Sequence, residues 1–407
     1  MKGFRVQDPW VVALAGLATA IGLFFAFDAG YARSIQAGRG TIPREFISQV
    51  IPLLPILLVT MWVARIPKQK LRKISKPLWG IAFFSLFLPM LPVIGVELNG
   101  ARRWFTIPPI PFNFQPAEFV KVAAVLYLAA VFTKRREWKD DPRAKRSLID
   151  RIDFGWLPRF KRVLPGLTVL LAAAIIEIEP DLGTAAVVMV IAYAMFLMGG
   201  VSRKTLVVGT CVLAVGVVGL VLKEPYRVER FEHHFSRWTD QNLDDTGYQT
   251  VQSELAMATG GVIGVGPGAG RAKHVMPAAT TDFVLATIAE EFGLLGAWGV
   301  IAVLAGLTFR LVHLAQRCTD RYSALVLYGI ASWIGVQSAV NVMMANGLLP
   351  AIGIPLPFVS SGGSSLMSLW LAIGASQAVL AQRAEQEDAV AADRDGWRHG
   401  RPRLSRA

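Results

Sequence analysis

Two cysteines in 407 residues, Cys211 and Cys318, leave no disulfide framework to expect. One falls inside an apolar run and the other in a basic connection, at depths too different for their sulfurs to meet. The chain has no tandem repeat, and it has no Walker sequence, since the glycine run Gly260-Gly261-Val262-Ile263-Gly264-Val265-Gly266-Pro267-Gly268 misses the GxxxxGK[ST] spacing. Nucleotide hydrolysis is therefore not the driving force, and any reaction must draw on an activated substrate or a gradient. No closed set of metal ligands is visible either.

Apolar length is what the chain has in excess: 53% of residues are hydrophobic and mean hydropathy is +0.45. Runs of the length needed to cross a hydrocarbon core, roughly 17–25 residues, recur along it. Ten spans are expected, at Pro9–Phe27, Phe46–Ala64, Pro77–Gly95, Pro116–Phe132, Val163–Ile178, Thr184–Gly200, Thr205–Leu222, Phe283–Phe309, Ser323–Met344 and Ser365–Gln382. They are continuously apolar rather than alternating, which selects an all-α polytopic membrane protein over a barrel. Residues 1–382 read as one transmembrane domain, with a charged cytoplasmic loop at 133–162 and a long extracytoplasmic loop at 223–281. Residues 383–407 read as a polar, disordered tail.

The formal charge of +13 invites a nucleic-acid reading, but the basic residues gather in alternate loops. Lys68–Lys76, Lys134–Arg146 and Arg310–Arg321 carry them, which is the positive-inside bias of a membrane protein. Both termini are then cytoplasmic, and the loops holding Arg102, Asp181, Asp282 and Pro357 face outward. Lys2 and Arg5 before the first span fit an uncleaved signal anchor.

Charged side chains near lipid single out the candidate site. Glu118 and Lys121 lie one turn apart in the fourth span, either lining a cavity or neutralising each other. Glu290 and Glu291 are adjacent carboxylates within a span and need cationic or protonated partners. Asp282 sits at the rim of the eighth span, where a short acid either caps free helix amides or does chemistry. Arg102 and Arg103 form a turn that matches a diphosphate as well as an interface. Glu179-Pro180-Asp181 is a tight turn or a ligand wall, and Pro355 through Ser365 is unwound backbone that only protein or a polar cavity can cover. Arg227, Arg230, His234 and Arg237 share a helical face, as a headgroup anchor or a rail for a phosphorylated lipid.

In order, these segments resemble the SEDS family of cell-shape and division proteins, to which FtsW, RodA and SpoVE belong. Five blocks carry the resemblance: Asn99–Trp104 with Gln115–Glu118 and Lys121; Pro180–Thr184; Pro225–Arg227 with Gly247–Gln249, Gln252 and Ser253; Gly260–Glu291; and Asn341 with Pro355–Ser365. The resemblance implies a peptidoglycan glycosyltransferase that polymerises lipid II and releases undecaprenyl diphosphate. It places Asp282 as the catalytic general base, and Arg102, Arg103, Glu118, Lys121, Asp181, Arg227, Arg230, Lys273 and Ser360 as substrate-binding residues. Ala278 and Thr280 stand where the family commonly has glutamate and histidine. Mg or Mn assisting the diphosphate, with Asp181 or Asp282 as a ligand, belongs to the same expectation. The implied partner is a class B penicillin-binding protein, in division or elongation, with a leaning toward an FtsW-like role. A lipid flippase and a non-catalytic scaffold remain as alternative readings.

Overall fold

The computed structural model describes residues 6–398 apart from 37, 39, 99, 107–111, 140–156, 202, 224–227, 230, 231, 233, 240–246 and 277. Twelve α-helices are found among the described residues. They are α1 (Pro9–Gln36), α2 (Arg44–Val63), α3 (Lys68–Ser85), α4 (Pro116–Lys139), α5 (Leu157–Ile178), α6 (Leu182–Met198), α7 (Arg203–Lys223), α8 (Tyr248–Gly260), α9 (Ala272–Val275), α10 (Val284–Gln316), α11 (Arg321–Ala345) and α12 (Gly363–Arg398). Six are long and apolar enough to cross a membrane by length and composition, within α1, α2, α4, α10, α11 and α12. Shorter apolar helices cover Pro165–Ile178, Leu182–Met198 and Val207–Gly216. The architecture is an all-α polytopic bundle of about ten long helices.

Its centre is α4, whose face from Ala117 to Phe132 is almost wholly buried. Around it pack α3, α6, α11 and α12, while α1 lies on α10 and α2 on α12. Large apolar side chains that remain exposed, such as Leu54, Leu58, Phe84 and Phe309, point outward, as lipid-facing surface does in a bundle whose interior holds the polar groups.

Three expected boundaries shift, each for a local reason. The third span does not run Pro77–Gly95; the helix starts at Lys68 and stops at Ser85. Pro89 and Pro92 cannot extend it, so the rest of that apolar run forms a 3-10 turn (Leu88–Met90) and leads into strand β1 (Gly95–Leu98). β1 pairs antiparallel with β2 (Ala101–Thr106), which pairs with β3 (Asn113–Phe114), a small sheet that helix periodicity does not reveal. At the other end α12 passes Gln382 and continues to Arg398. The stretch expected to be disordered is rich in Ala, Glu, Gln and Arg and free of proline until Pro402, so helix propensity carries it on.

The expected outer loop 223–281 is not wholly a loop. α8 leads to Gly260, and the glycine run then inserts into a break in α10 at Gly293, where φ is 68°. Val265 N and Gly266 N donate to Glu290 O and Glu291 O at 2.9 and 3.0 Å, while Leu294 N and Leu295 N donate to Gly261 O and Val262 O at 2.9 and 3.2 Å. The break thus exchanges helix hydrogen bonds for loop hydrogen bonds and leaves no backbone cost in the apolar interior. Gly293 lies nine residues beyond Val284, roughly 14 Å along the helix, so the loop re-enters the bundle to that depth. A methyl at Gly293 would stand 2.3 Å from Val262 O; only glycine allows the approach.

Candidate active site

Asp282 is half-buried and lies in a turn just before α10, whose N-cap is Phe283 rather than Asp282. Its position is fixed from two directions. Asn341, on α11, donates its Nδ2 to Asp282 O at 2.7 Å and to Ile354 O at 2.8 Å. Ser361 N donates to Thr280 O at 2.8 Å, and Ser360 Oγ donates to Thr281 O while accepting from Leu356 N at 2.7 Å. Ser360 therefore holds the loop against the aspartate turn and has its hydroxyl occupied by backbone. Phe358 takes a left-handed φ of 64° and sets its ring edge-on to Trp370, with centroids 6.2 Å apart. That loop is the uncoiled segment the sequence marks out, and it brings Gly353 beside the carboxylate: a methyl there would stand 3.7 Å from Asp282 Oδ2.

The second direction is the glycine loop. Glu290 accepts from Arg271 N and Ala272 N, both at 2.9 Å. Glu291 accepts from Gly268 N at 3.1 Å and Gly270 N at 3.3 Å, and pairs with Lys273 Nζ at 2.6 Å. A nest of backbone N–H groups of the kind that cradles phosphate elsewhere here encloses two carboxylates of its own chain. The partners that Glu290 and Glu291 require are thus present. Lys273 is 2% exposed and bonded as well to Asp28 Oδ2 at 2.6 Å, so its ammonium ties the loop to α1 and α10 instead of facing a substrate. From this anchor Met276, Ala279 and Phe283 pack with Ala256, Ala272 and Ala286 into a small core directly under the aspartate turn.

Glu118 and Lys121 form a buried ion pair at 2.7 Å. Both expected alternatives are partly present, because the pair neutralises itself and also joins a network across helices. Lys121 lies 3.4 Å from Gln337 Oε1 and 5.2 Å from the Trp333 ring centroid, and Ser368 Oγ reaches Glu118 Oε2 at 3.4 Å. Gln337 Nε2 donates to Pro355 O at 2.8 Å. Gln337 and Asn341, one turn apart on α11, therefore hold successive carbonyls of the loop beside Asp282.

Asp181 caps α6 by accepting from Thr184 N at 3.1 Å, and its other oxygen accepts from Gln115 Nε2 at 2.8 Å. The start of α6 touches the same loop, since a methyl at Gly183 would stand 2.8 Å from Ile352 O. Arg103 donates to the carbonyls of Glu179 (3.0 Å) and Pro180, which commits it to the α5–α6 turn. Arg102 is exposed and, among the described residues, pairs at 3.1 Å with Glu97, which is exposed as well. Glu179 is 3% exposed with neither carboxylate oxygen hydrogen-bonded. Burial first, then the Asp181 charge, push its carboxyl up to about 8 against a smaller opposing pull from Arg103.

Arg227 and Arg230 lie outside the described residues. On the same expected face, His234 is buried and Arg237 is bonded to Glu254 at 2.6 Å, to His234 O at 2.6 Å and to Gly347 O at 3.3 Å. Phe235 and Trp238 are exposed, as a headgroup anchor requires. No three His, Cys, Asp or Glu side chains are grouped to hold a metal ion among the described residues. With both Asp181 oxygens already accepting hydrogen bonds, the donor set a divalent cation needs is not assembled around it.

Sequence reading passed over Asp28 and Gln337. Asp28 directly follows the expected first span Pro9–Phe27, and that charge one residue beyond an apolar run was the available signal.

Known proteins resemble this chain over most of its length. The family described as cell cycle protein, covering FtsW, RodA and SpoVE, matches residues 9–385. The probable peptidoglycan glycosyltransferase FtsW of Coxiella burnetii is 33% identical over 372 residues, 90% of this chain and 94% of that protein. Stage V sporulation protein E of Bacillus subtilis is 33% identical over 74% of this chain and 77% of its own length. Among solved structures, a chain of a peptidoglycan synthase complex that coordinates polymerization and crosslinking aligns with a TM-score of 0.71 and 28% identity, covering 92% of this chain and 98% of its own. The rod shape determining protein RodA of Thermus thermophilus aligns at 0.62 with 26% identity, covering 92% and 97%. The chain belongs to the FtsW, RodA and SpoVE family of multi-pass membrane proteins.

Proposed function

We propose that this chain is a peptidoglycan glycosyltransferase that joins lipid II units into β-1,4-linked glycan on the outer face of the cytoplasmic membrane, with Asp282 as its general base. The 4-hydroxyl of N-acetylglucosamine on one lipid II attacks the anomeric carbon of N-acetylmuramic acid on the other substrate. The bond to undecaprenyl diphosphate breaks, configuration inverts, and the hydroxyl proton passes to the Asp282 carboxylate. An alcohol becomes acidic only as its oxygen bonds to carbon, so the base must be ionised and correctly placed. The observation that carries the reading is the double fixation of the half-buried Asp282 turn, by Asn341 and Ser360 on one side and by the glutamate nest on the other.

Roles for the other expected residues follow from what they touch. Arg102, the exposed member of its pair, is the cation placed to meet charge growing on the departing diphosphate. Arg227 and Arg230 share that proposed role. Arg103 and Asp181 shape the wall at the α5–α6 turn, and Glu118 and Lys121 act through Gln337 on the loop beside Asp282. No step is routed through Mg or Mn. The orientation rests on the basic residues of alternate loops, with both termini in the cytoplasm. A class B penicillin-binding protein is the proposed partner, in keeping with the aligned synthase complex, and an FtsW-like division role accords with the curated relatives.

Purified protein supplied with lipid II in detergent must yield glycan chains, whereas a flippase shows activity only in sealed vesicles. Detergent samples without polymer, combined with lipid II movement across vesicles, would replace this reading by transport. A fluorescent fusion at the septum supports the division role, and one along the side wall assigns elongation.

A further inference from the structure

We propose that Asp28, on α1, is a positioning residue for Asp282, acting through Lys273 and the glycine-loop nest. The inference rests on Asp282 as the general base. Asp28 stands outside the aspartate turn in sequence and in its element, yet it supplies one of the two carboxylates that bracket a buried ammonium. Its Oδ2 is 2.6 Å from Lys273 Nζ, and Glu291 Oε1 is 2.6 Å from the same nitrogen. Its other oxygen, Oδ1, lies 3.8 Å from where a side chain at Gly268 would begin. Asp28 therefore binds the loop at Lys273 and lies against it at Gly268.

The charge balance explains why the contact matters. Lys273 and Glu291 are 2% and 0% exposed in their side chains, while Asp28 is 16% exposed. Glu291 already receives two backbone N–H donors, so it remains satisfied without the ammonium, whereas Lys273 without Asp28 loses one of the two carboxylates that bracket its buried ammonium. A buried ammonium in that state draws toward Glu291 or toward solvent, and either shift moves α9. The short helix is three residues from Ala278, whose carbonyl accepts from Thr281 N at 3.1 Å and Phe283 N at 3.2 Å, the two amides that bracket Asp282. A displacement at Lys273 is thus handed to the general base through about one turn of chain, and misplacement on the order of 1 Å at a reacting group can cost roughly 10²-fold in rate. α1 otherwise packs on α10 and α2, so Asp28 also couples the site to the placement of the first helix.

The test compares purified wild type, Asp28→Asn, Lys273→Gln, the double variant and Asp282→Asn, each in detergent with lipid II. Asp28→Asn should lower kcat about tenfold and leave KM within about twofold, since the substrate contacts are intact. Acting through Lys273, it should add nothing to Lys273→Gln, so that the double variant matches Lys273→Gln alone. A purely structural role would instead reduce the folded fraction and leave kcat per folded molecule unchanged. Wild-type kcat in Asp28→Asn, or losses in the double variant that multiply, would overturn the proposal. If Asp28→Asn fails to fold, the comparison of Lys273→Gln with the double variant decides alone. An active Asp282→Asn would overturn the reading of Asp282 itself, and an inactive one beside an unaffected Asp28→Asn would overturn only the role of Asp28.

Discussion

Two groups of buried acid differ in how their charge is met. At Glu290 and Glu291 every carboxylate oxygen has a partner, drawn from four backbone N–H groups and the Lys273 ammonium. At Glu179 neither oxygen has one, and the nearby Arg103 donates to backbone carbonyls instead. The difference teaches what the glycine run is for. Glycines let a chain double back with consecutive N–H groups converging on an anion, so two carboxylates are held inside the bundle by backbone donors and anchor the loop. The α5–α6 turn at Pro180 offers Glu179 no such donor among the described residues, and burial favours its neutral form.

The largest effect should come from breaking the paired group. Glu291→Ala removes one of the two carboxylates that bracket Lys273 and strips Gly268 N and Gly270 N of their acceptor. Removing one member of a buried pair costs about 3–5 kcal/mol, read as a sharp loss of folded protein in thermal unfolding. Unchanged unfolding would show that the nest does not anchor the loop.

Next is the break that admits the loop. Gly293→Ala must adopt a left-handed φ of 68° with a methyl 2.3 Å from Val262 O. Backbone strain of that kind costs roughly 1–3 kcal/mol before any clash. The same substitution at Gly299, where nothing lies within 4 Å, should be neutral or mildly stabilising and serves as the control.

The unpaired group predicts a pH dependence. Glu179 titrates at about 8 in the folded protein against 4.5 ordinarily, so between those values the native state holds a proton that the unfolded chain has released. The stability conferred by the neutral carboxyl is complete below about pH 4.5 and is lost as pH rises through about 8. Melting of the wild type should fall from about pH 6 to about pH 9, with a flatter slope in Glu179→Gln; parallel slopes would place the ionised carboxylate among donors after all. Smallest of all is Arg102→Ala, whose exposed pair with Glu97 contributes within about 1 kcal/mol. Its stability should be unchanged, while its KM for lipid II rises if it meets the diphosphate.

Much of this was legible in the sequence. Uninterrupted apolar runs announce helices regardless of tertiary context, and charges such as Glu118, Lys121, Asp282 and the Glu290–Glu291 pair stand out because lipid penalises them. The family resemblance read from those blocks agrees with the match over residues 9–385. What the sequence withheld were choices made between distant segments. Gly260–Gly268 reads as an outer loop until α10 opens at Gly293 to receive it. Lys273 reads as a substrate contact until Asp28, 245 residues away, closes on it. Ser360 reads as a ligand contact until Thr281 O and Leu356 N occupy its hydroxyl. Pro77–Gly95 reads as a span because hydropathy does not register the 3-10 turn that follows Ser85 and leads into the hairpin beginning at Gly95.

The central claim is that the Asp282 carboxylate removes the proton from the attacking sugar hydroxyl. The most direct measurement is glycan polymerisation by purified Asp282→Asn, which keeps the size and shape of the side chain but not its basicity, alongside lipid II binding by the same sample. The account predicts binding close to wild type and no polymer; polymer of near-normal length and rate from that variant would contradict it.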